Sequence, residues 1–211
     1  MKKALLASTI SKSISKIKQL FPGEPSNSSV IFITTASKPE GDDLPWLEED
    51  ISAFKKMGFA VVRYDIDGKT EDQLRKDLGS FEIICIGGGN TYFLLDRVKK
   101  SGFDKIIPEL FDKGVIYAGS SAGSVLAGAT IDSARGADDH TIVPDLIDYS
   151  GLRLVNFAII PHYDQTEYDE IFKKRIASWK EPYNVLLLND NEAVIVSGET
   201  FRIVSCGTDR I

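Results

Sequence analysis

Residues 115–124 read Val115-Ile116-Tyr117-Ala118-Gly119-Ser120-Ser121-Ala122-Gly123-Ser124. The apolar start predicts a buried strand over 115–118, and the glycine-flanked centre a tight turn. A helix is predicted over 121–129, directly after that turn. Gly119-Ser120-Ser121-Ala122-Gly123 fits the G-x-S-x-G pattern of a nucleophile elbow, in which a strained strand-to-helix turn exposes the central serine. Residues without a Cβ let neighbouring backbone close in around that serine. Ser121 then stands at a helix N-terminus, and the N–H of Ala122 is a candidate donor to a developing oxyanion. The same five residues also suit a Gly/Ser-rich turn with no chemistry, so their meaning depends on what the rest of the chain brings to them.

Outward from this stretch the pattern alternates. Strands are expected at 3–9, 29–34, 59–64, 81–86, 156–160 and 184–188, with a closing hairpin of 193–196 and 201–204. Helices are expected at 11–21, 44–57, 70–78, 92–100, 103–113 and 167–180. Thr70 and Gln73 form a T-x-x-Q capping box. The 29–34 and 81–86 strands are apolar throughout their centres, as expected of parallel strands covered on both faces. Together these elements predict an α/β fold: a doubly wound, mostly parallel sheet with helices on both faces, in one domain spanning 1–211. Residues 130–145 form a long Asp-, Gly-, Ala- and Ser-rich loop of the kind that carries function.

Composition narrows the class. The chain has 211 residues, 43% hydrophobic and 27% charged, with a net charge of −6. This is an ordinary globular composition, and the negative balance speaks against a nucleic-acid or anionic-membrane partner. The apolar runs are far too short to span a bilayer. The N-terminal Met1-Lys2-Lys3-Ala4-Leu5-Leu6 superficially resembles a signal peptide, but lysines return at Lys12, Lys16 and Lys18, and a first strand is the better reading. Cys85 falls in a buried strand and Cys206 near the C-terminus. Neither spacing suggests a metal site or a disulfide framework, and both fit a reducing cytoplasm.

In open α/β sheets, ligand sites gather beyond the carboxyl ends of strands. Three strands besides 115–118 end in chemically useful turns: Gly87-Gly88-Gly89-Asn90-Thr91, Pro161-His162-Tyr163-Asp164 and Asn189-Asp190-Asn191-Glu192. A serine needs a base to attack at neutral pH, and the chain has only two histidines. His162 follows a buried strand directly and is the favoured base. His140 sits in the polar 130–145 loop, where a solvated histidine is the simpler reading. A carboxylate should orient the imidazole, and Asp138 and Asp139 are the candidates, in a loop able to fold back over the elbow. Asp132, Asp145 and Asp164 are weaker ones. The triple glycine is not G-x-G-x-x-G and lacks the P-loop lysine. It reads either as a tight turn or as the second half of an oxyanion hole, with Gly88 or Gly89 donating beside Ala122. Asn90 and Thr91, which open the next helix, are candidate substrate contacts. Asp190 or Glu192 is placed to meet a substrate's N-terminal ammonium.

Three segments resemble, in order, peptidase family S51, which includes aspartyl dipeptidase (dipeptidase E) and cyanophycinase. They are Gly87-Gly88-Gly89-Asn90-Thr91-Tyr92-Phe93-Leu94-Leu95, Tyr117 to Ser124, and Leu152-Arg153-Leu154 through Ile160-Pro161-His162-Tyr163. The similarity covers nearly the whole chain. It implies a cofactor-free serine peptidase on a flavodoxin-like or class I glutamine-amidotransferase-like sheet. Ser121 would be nucleophile, His162 base, with a carboxylate at 138–139 and oxyanion donors from the triple glycine and Ala122. It also implies short, acidic peptides as substrates, held by an arginine in the helix after the histidine. Here Phe172 occupies that register, leaving Arg175 or Lys173 as substitutes. Two other readings stand beside this one. An α/β-hydrolase esterase shares the Ser…Asp…His order, although few residues separate Ser121 from His162. A non-catalytic binding protein could use the same polar strand ends to hold a small ligand. No feature of the sequence specifies an oligomeric state.

Overall fold

The computed structural model describes residues 1–205; Cys206 lies outside them. The strands are β1 (Lys3–Ala7), β2 (Ser29–Ile33), β3 (Ala60–Tyr64), β4 (Ile83–Ile86), β5 (Ile116–Ser120), β6 (Phe157–Ile160), β7 (Asn184–Leu187), β8 (Glu192–Ser197) and β9 (Thr200–Ser205). The helices are α1 (Ile10–Ser13), α2 (Pro45–Lys56), α3 (Glu71–Leu78), α4 (Thr91–Ser101), α5 (Phe103–Asp112), α6 (Ala122–Leu126) and α7 (Asp169–Ala177). Seven strands form one sheet in the order β3-β2-β4-β5-β1-β8-β9. The first five of these are mutually parallel, and β8 and β9 close one edge as the expected antiparallel hairpin. This is the mostly parallel, flavodoxin-like α/β arrangement.

Alternation along the strands splits the core in two. Ile31, Ile33, Ile84 and Ile86 pack on one face with Leu74, Leu94, Val98 and Phe103 from α3, α4 and α5. Val30, Phe32, Ile83 and Cys85 pack on the other with Ile10, Ile51 and Phe54 from α1 and α2. A side-chain period of two sends neighbouring residues to opposite faces, so a central strand with helices on both faces must be apolar throughout. β4 and β5 are buried at every position, whereas edge strand β3 is largely exposed. Burial pushes the Cys85 thiol well above its usual range, which makes it an inert core residue.

Three expectations are corrected. The strands at 156–160 and 184–188 do not join the main sheet. β6 and β7 pair with each other, in parallel, as a separate two-stranded sheet. β1 already has β5 on one side and β8 on the other, so the centre has no free edge to offer them. The helix over 11–21 is only α1 followed by 3-10 turns over 14–19. Ile10, Ile14 and Ile17 still face inward, but serines and β-branched residues sustain an α-helix weakly. The helix over 121–129 stops at Leu126, for a reason that lies in the site itself.

No helix among the described residues is long and apolar enough to cross a membrane.

Candidate active site

The turn from β5 into α6 is strained. Ser121 has φ 49° and ψ −110°, a conformation that a residue with a Cβ adopts only when its surroundings impose it. The restraints are visible. The Ser121 N–H donates to the carbonyls of Ala7 and Ser8, at 3.1 Å each, where β1 ends. Ser124 Oγ donates to the Ala7 carbonyl at 2.7 Å, and Tyr117 Oη to the Gly123 carbonyl at 2.6 Å. Gly123 must be glycine, because a Cβ there would stand 2.1 Å from the Ile86 carbonyl oxygen. The helix ends early because its last carbonyls are claimed from outside. Leu152, Leu154 and Arg153 N–H groups donate to Leu126, Ala127 and Gly128 at 2.8, 3.0 and 3.0 Å. The Leu152-Arg153-Leu154 segment thus acts as a backbone cap on α6.

His162 follows β6 and has φ 59°. Its N–H donates to Ser8 Oγ at 2.8 Å, which ties this loop to the end of β1. The imidazole lies between two partners. Ser121 Oγ is 2.9 Å from Nε2, and Asp190 Oδ1 is 2.6 Å from Nδ1. With Nδ1–H donating to the carboxylate, Nε2 is left to accept the serine proton. The parallel register of β6 and β7 accounts for the meeting. Ile160 pairs with Leu187, so the chain just past each strand, His162 on one and Asp190 on the other, emerges side by side.

Asp190 is held at both oxygens. Oδ1 also accepts from Ser8 Oγ at 3.2 Å, and Oδ2 accepts from Lys12 Nζ at 3.0 Å and Gln165 Nε2 at 2.9 Å. The hydrogen bond from His162, aided by Lys12, holds its carboxyl well below the usual carboxylate range despite opposing burial. Its side chain is only 13% exposed, so the charge acts on His162 with limited screening by solvent.

The acidic pair expected at 138–139 is placed differently. Asp138 Oδ2 accepts from the Thr91 N–H at 2.8 Å and so caps α4. Asn90 is the N-cap proper. Its Oδ1 accepts from Phe93 N–H and its Nδ2 donates to the Asp139 carbonyl, both at 2.9 Å. Both ends of that amide therefore bind protein. Asp139 is exposed and closes a turn on the Thr141 N–H and hydroxyl. Glu192 accepts from the Asn189 N–H within its own turn. Arg175 is 7% exposed, paired with Asp132 and stacked over Trp179, and does not line the cavity. His140 is exposed, its ring near Tyr92.

The comparisons with known proteins fall on this geometry. The profile of Peptidase family S51 matches residues 6–204. The chain belongs to peptidase family S51. It is a serine-type peptidase, which sets aside the α/β-hydrolase and non-catalytic readings. It is 30% identical over 200 residues to the uncharacterised peptidase PM1590 of Pasteurella multocida, covering 95% of this chain and 96% of that one. It is 32% identical over 171 residues to the uncharacterised peptidase Lin0382 of Listeria innocua, covering 81% of each. A solved structure from Listeria monocytogenes EGD-e, with a provisional Peptidase E assignment, superposes with a TM-score of 0.89 at 28% identity, covering 97% and 98% of the two chains.

In this S51 peptidase the triple glycine lies against the β5–α6 turn at Ser121. A Cβ built on Gly88 would be 3.4 Å from the Ser121 Cβ. Gly89 has φ +125°, and a Cβ there would meet the Ala36 carbonyl at 2.2 Å. Among the described residues no acceptor takes the Gly88 or Gly89 N–H, and the Ala122 N–H opens α6 with no preceding helical carbonyl to bond. The cavity above Ser121 measures about 310 Å³. Gly88, Gly89, Thr91, Ser121, Ala122 and His162 all line it, with Asp138 on the wall. Thr91 is the one expected substrate contact at this turn whose residue reaches the cavity. Trp46 and Tyr168, which the sequence did not single out, supply aromatic surface there together with Phe172. Their helical spacing resembles that of core residues.

Proposed function

We propose that this S51 peptidase hydrolyses short peptides by acyl transfer through Ser121, His162 and Asp190. The observation that carries the reading is the continuous hydrogen-bonded chain from the Ser121 hydroxyl through both imidazole nitrogens to the Asp190 carboxylate, at 2.9 and 2.6 Å. His162 Nε2 takes the serine proton as Oγ bonds to the peptide carbonyl carbon. The Asp190 carboxylate stabilises the imidazolium and holds its tautomer. The N–H groups of Ala122 and of Gly88 or Gly89 receive the oxyanion. The C–N bond then breaks, the proton on Nε2 passes to the leaving amine, and water, deprotonated by His162, releases the acyl group from Ser121. A cavity of about 310 Å³ suits a peptide of a few residues. The acidic preference implied by the resemblance is not part of this proposal, because neither Arg175 nor Lys173 lines the cavity.

A fluorophosphonate probe should label folded protein once, at Ser121, with intact-mass and peptide-mapping readouts. Ser121→Ala should abolish the adduct and peptide hydrolysis together. Labelling at another serine, or hydrolysis that survives in Ser121→Ala, would overturn the reading.

A further inference from the structure

The cavity is a site because Ser121 and His162 open into it; its lining decides the charge of what enters. Glu40, Glu49, Asp50 and Asp138 line it, and among the described residues no lysine or arginine does. These carboxylates are not equivalent. Asp50 is spent internally, accepting from the Ser11 N–H at 3.0 Å and the Ser120 hydroxyl at 2.7 Å. Asp138 Oδ2 accepts from the Thr91 N–H at 2.8 Å, and the Thr91 side chain also hydrogen-bonds this carboxylate. Glu40 is exposed and takes part in no hydrogen bond or ion pair among the described residues. Glu40 and Asp138 lie close enough for the Asp138 charge to add to the burial that raises the Glu40 carboxyl. Both charges also reach the Tyr168 phenol. The Tyr168 ring is 6.4 Å from the His162 ring and 5.5 Å from that of Phe172. One wall beside the proposed base therefore carries two carboxylates with no salt-bridge partner among the described residues and a pair of aromatic rings.

Such a wall repels an anion and attracts a cation. A positive charge relieves the mutual repulsion of the two acids, an aromatic face adds cation–π attraction, and a long aliphatic stem can lie along Phe172 and Ala137. We propose that Glu40, Asp138 and Tyr168 form a specificity subsite for a cationic side chain, of lysine or arginine type, on the residue beside the scissile bond. This rests on the reading of Ser121 as nucleophile. It reverses the charge preference that the family resemblance implies, and the cause is local: Arg175 is buried on Asp132, and the acids are left facing the substrate.

The test compares dipeptides that carry arginine, citrulline or aspartate at the residue donating the scissile carbonyl, each with a free and an acetylated N-terminus. Citrulline keeps the shape of arginine and removes its charge. In each preparation the fraction of reactive Ser121 is titrated with the fluorophosphonate. The expected kcat/KM ratio of arginine over citrulline is about tenfold or more, with aspartate poorest, and it persists after acetylation. Glu40→Gln and Asp138→Asn should each compress the ratio by about threefold or more, with kcat/KM falling further for arginine than for citrulline. A ratio near one, a preference for aspartate, or a ratio that vanishes on acetylation would overturn the proposal. If Ser121 does not react with the probe, the catalytic reading fails separately. Calorimetric binding of the same peptides to folded Ser121→Ala protein then decides the subsite, with equal affinities for arginine and citrulline counting against it.

Discussion

Asp138 and Asp190 are both within electrostatic range of His162, yet their surroundings push them in opposite directions. Asp190 receives hydrogen bonds from His162, Ser8, Lys12 and Gln165, and its carboxyl is held below the usual range, by His162 first. Asp138 has one backbone donor, Thr91, and its carboxyl is raised, by burial first. When two carboxylates near one base are separated in this way, they are suited to different work. The fully solvated-by-protein Asp190 is a permanent anion at the imidazole. At Asp138 the hydrogen bonds from Thr91 and the nearby His162 offset only part of the burial. The proposed division gives Asp190 to the chemistry and Asp138 to the wall that meets substrate.

The largest expected effect breaks this pair apart. Asp190→Asn should lower kcat for any cleaved peptide on the order of 10³–10⁴-fold, because an amide favours the wrong imidazole tautomer. Asp138→Asn should lower kcat for an uncharged peptide by less than about tenfold. Steady-state kinetics on both variants checks the order.

A second effect is the pH dependence of stability, where the two signs differ. Asp190 is depressed in the folded state. Its stabilising contribution is therefore present above the unfolded aspartate value of about 3.9 and is lost as pH falls through the lower folded value. Asp138 is raised. Its charged form penalises folding above the raised value, and the penalty disappears as pH falls through that value to below about 3.9. Urea titrations across this range should show Asp190→Asn less stable than wild type at neutral pH and Asp138→Asn more stable. Both gaps should close in acid. The same sign for both variants at neutral pH would contradict the contrast.

The smallest effect concerns Lys12, whose side chain is 46% exposed. Exposed pairs are weak, so Lys12→Met should cost less than about 1 kcal/mol of stability at pH 7, and the loss should shrink in high salt. A larger, salt-independent loss would mean that Lys12 holds Asp190 more firmly than its exposure allows.

Much of this site is written locally. The turn at Ser121, the glycine turn at 87–89 and His162 after a buried strand each announce themselves over a few residues, and the alternating pattern places the first two at one edge of the main sheet. Asp190 does not. Its turn reads as one more polar strand end, and its meeting with His162 depends on β6 and β7 pairing with each other away from the main sheet. A continuous apolar strand looks the same in either sheet, so the partner of His162 could not be read from spacing. Asp138 is drawn elsewhere for the complementary reason. The 130–145 loop does return over the elbow, but the carboxylate is taken by the Thr91 N–H at the start of α4. Leu152-Arg153-Leu154 was legible only as a resemblance, since its work of capping α6 is done by backbone groups.

The most direct test of the Ser121–His162–Asp190 assignment is the second-order rate of fluorophosphonate labelling at Ser121 in wild type, Asp190→Asn and Asp138→Asn, measured side by side at neutral pH. The probe needs only an activated serine and is indifferent to peptide charge. The expected result is slowing on the order of 10³-fold in Asp190→Asn and a near-wild-type rate in Asp138→Asn. Fast labelling in Asp190→Asn together with slow labelling in Asp138→Asn would show that the carboxylate serving His162 is Asp138.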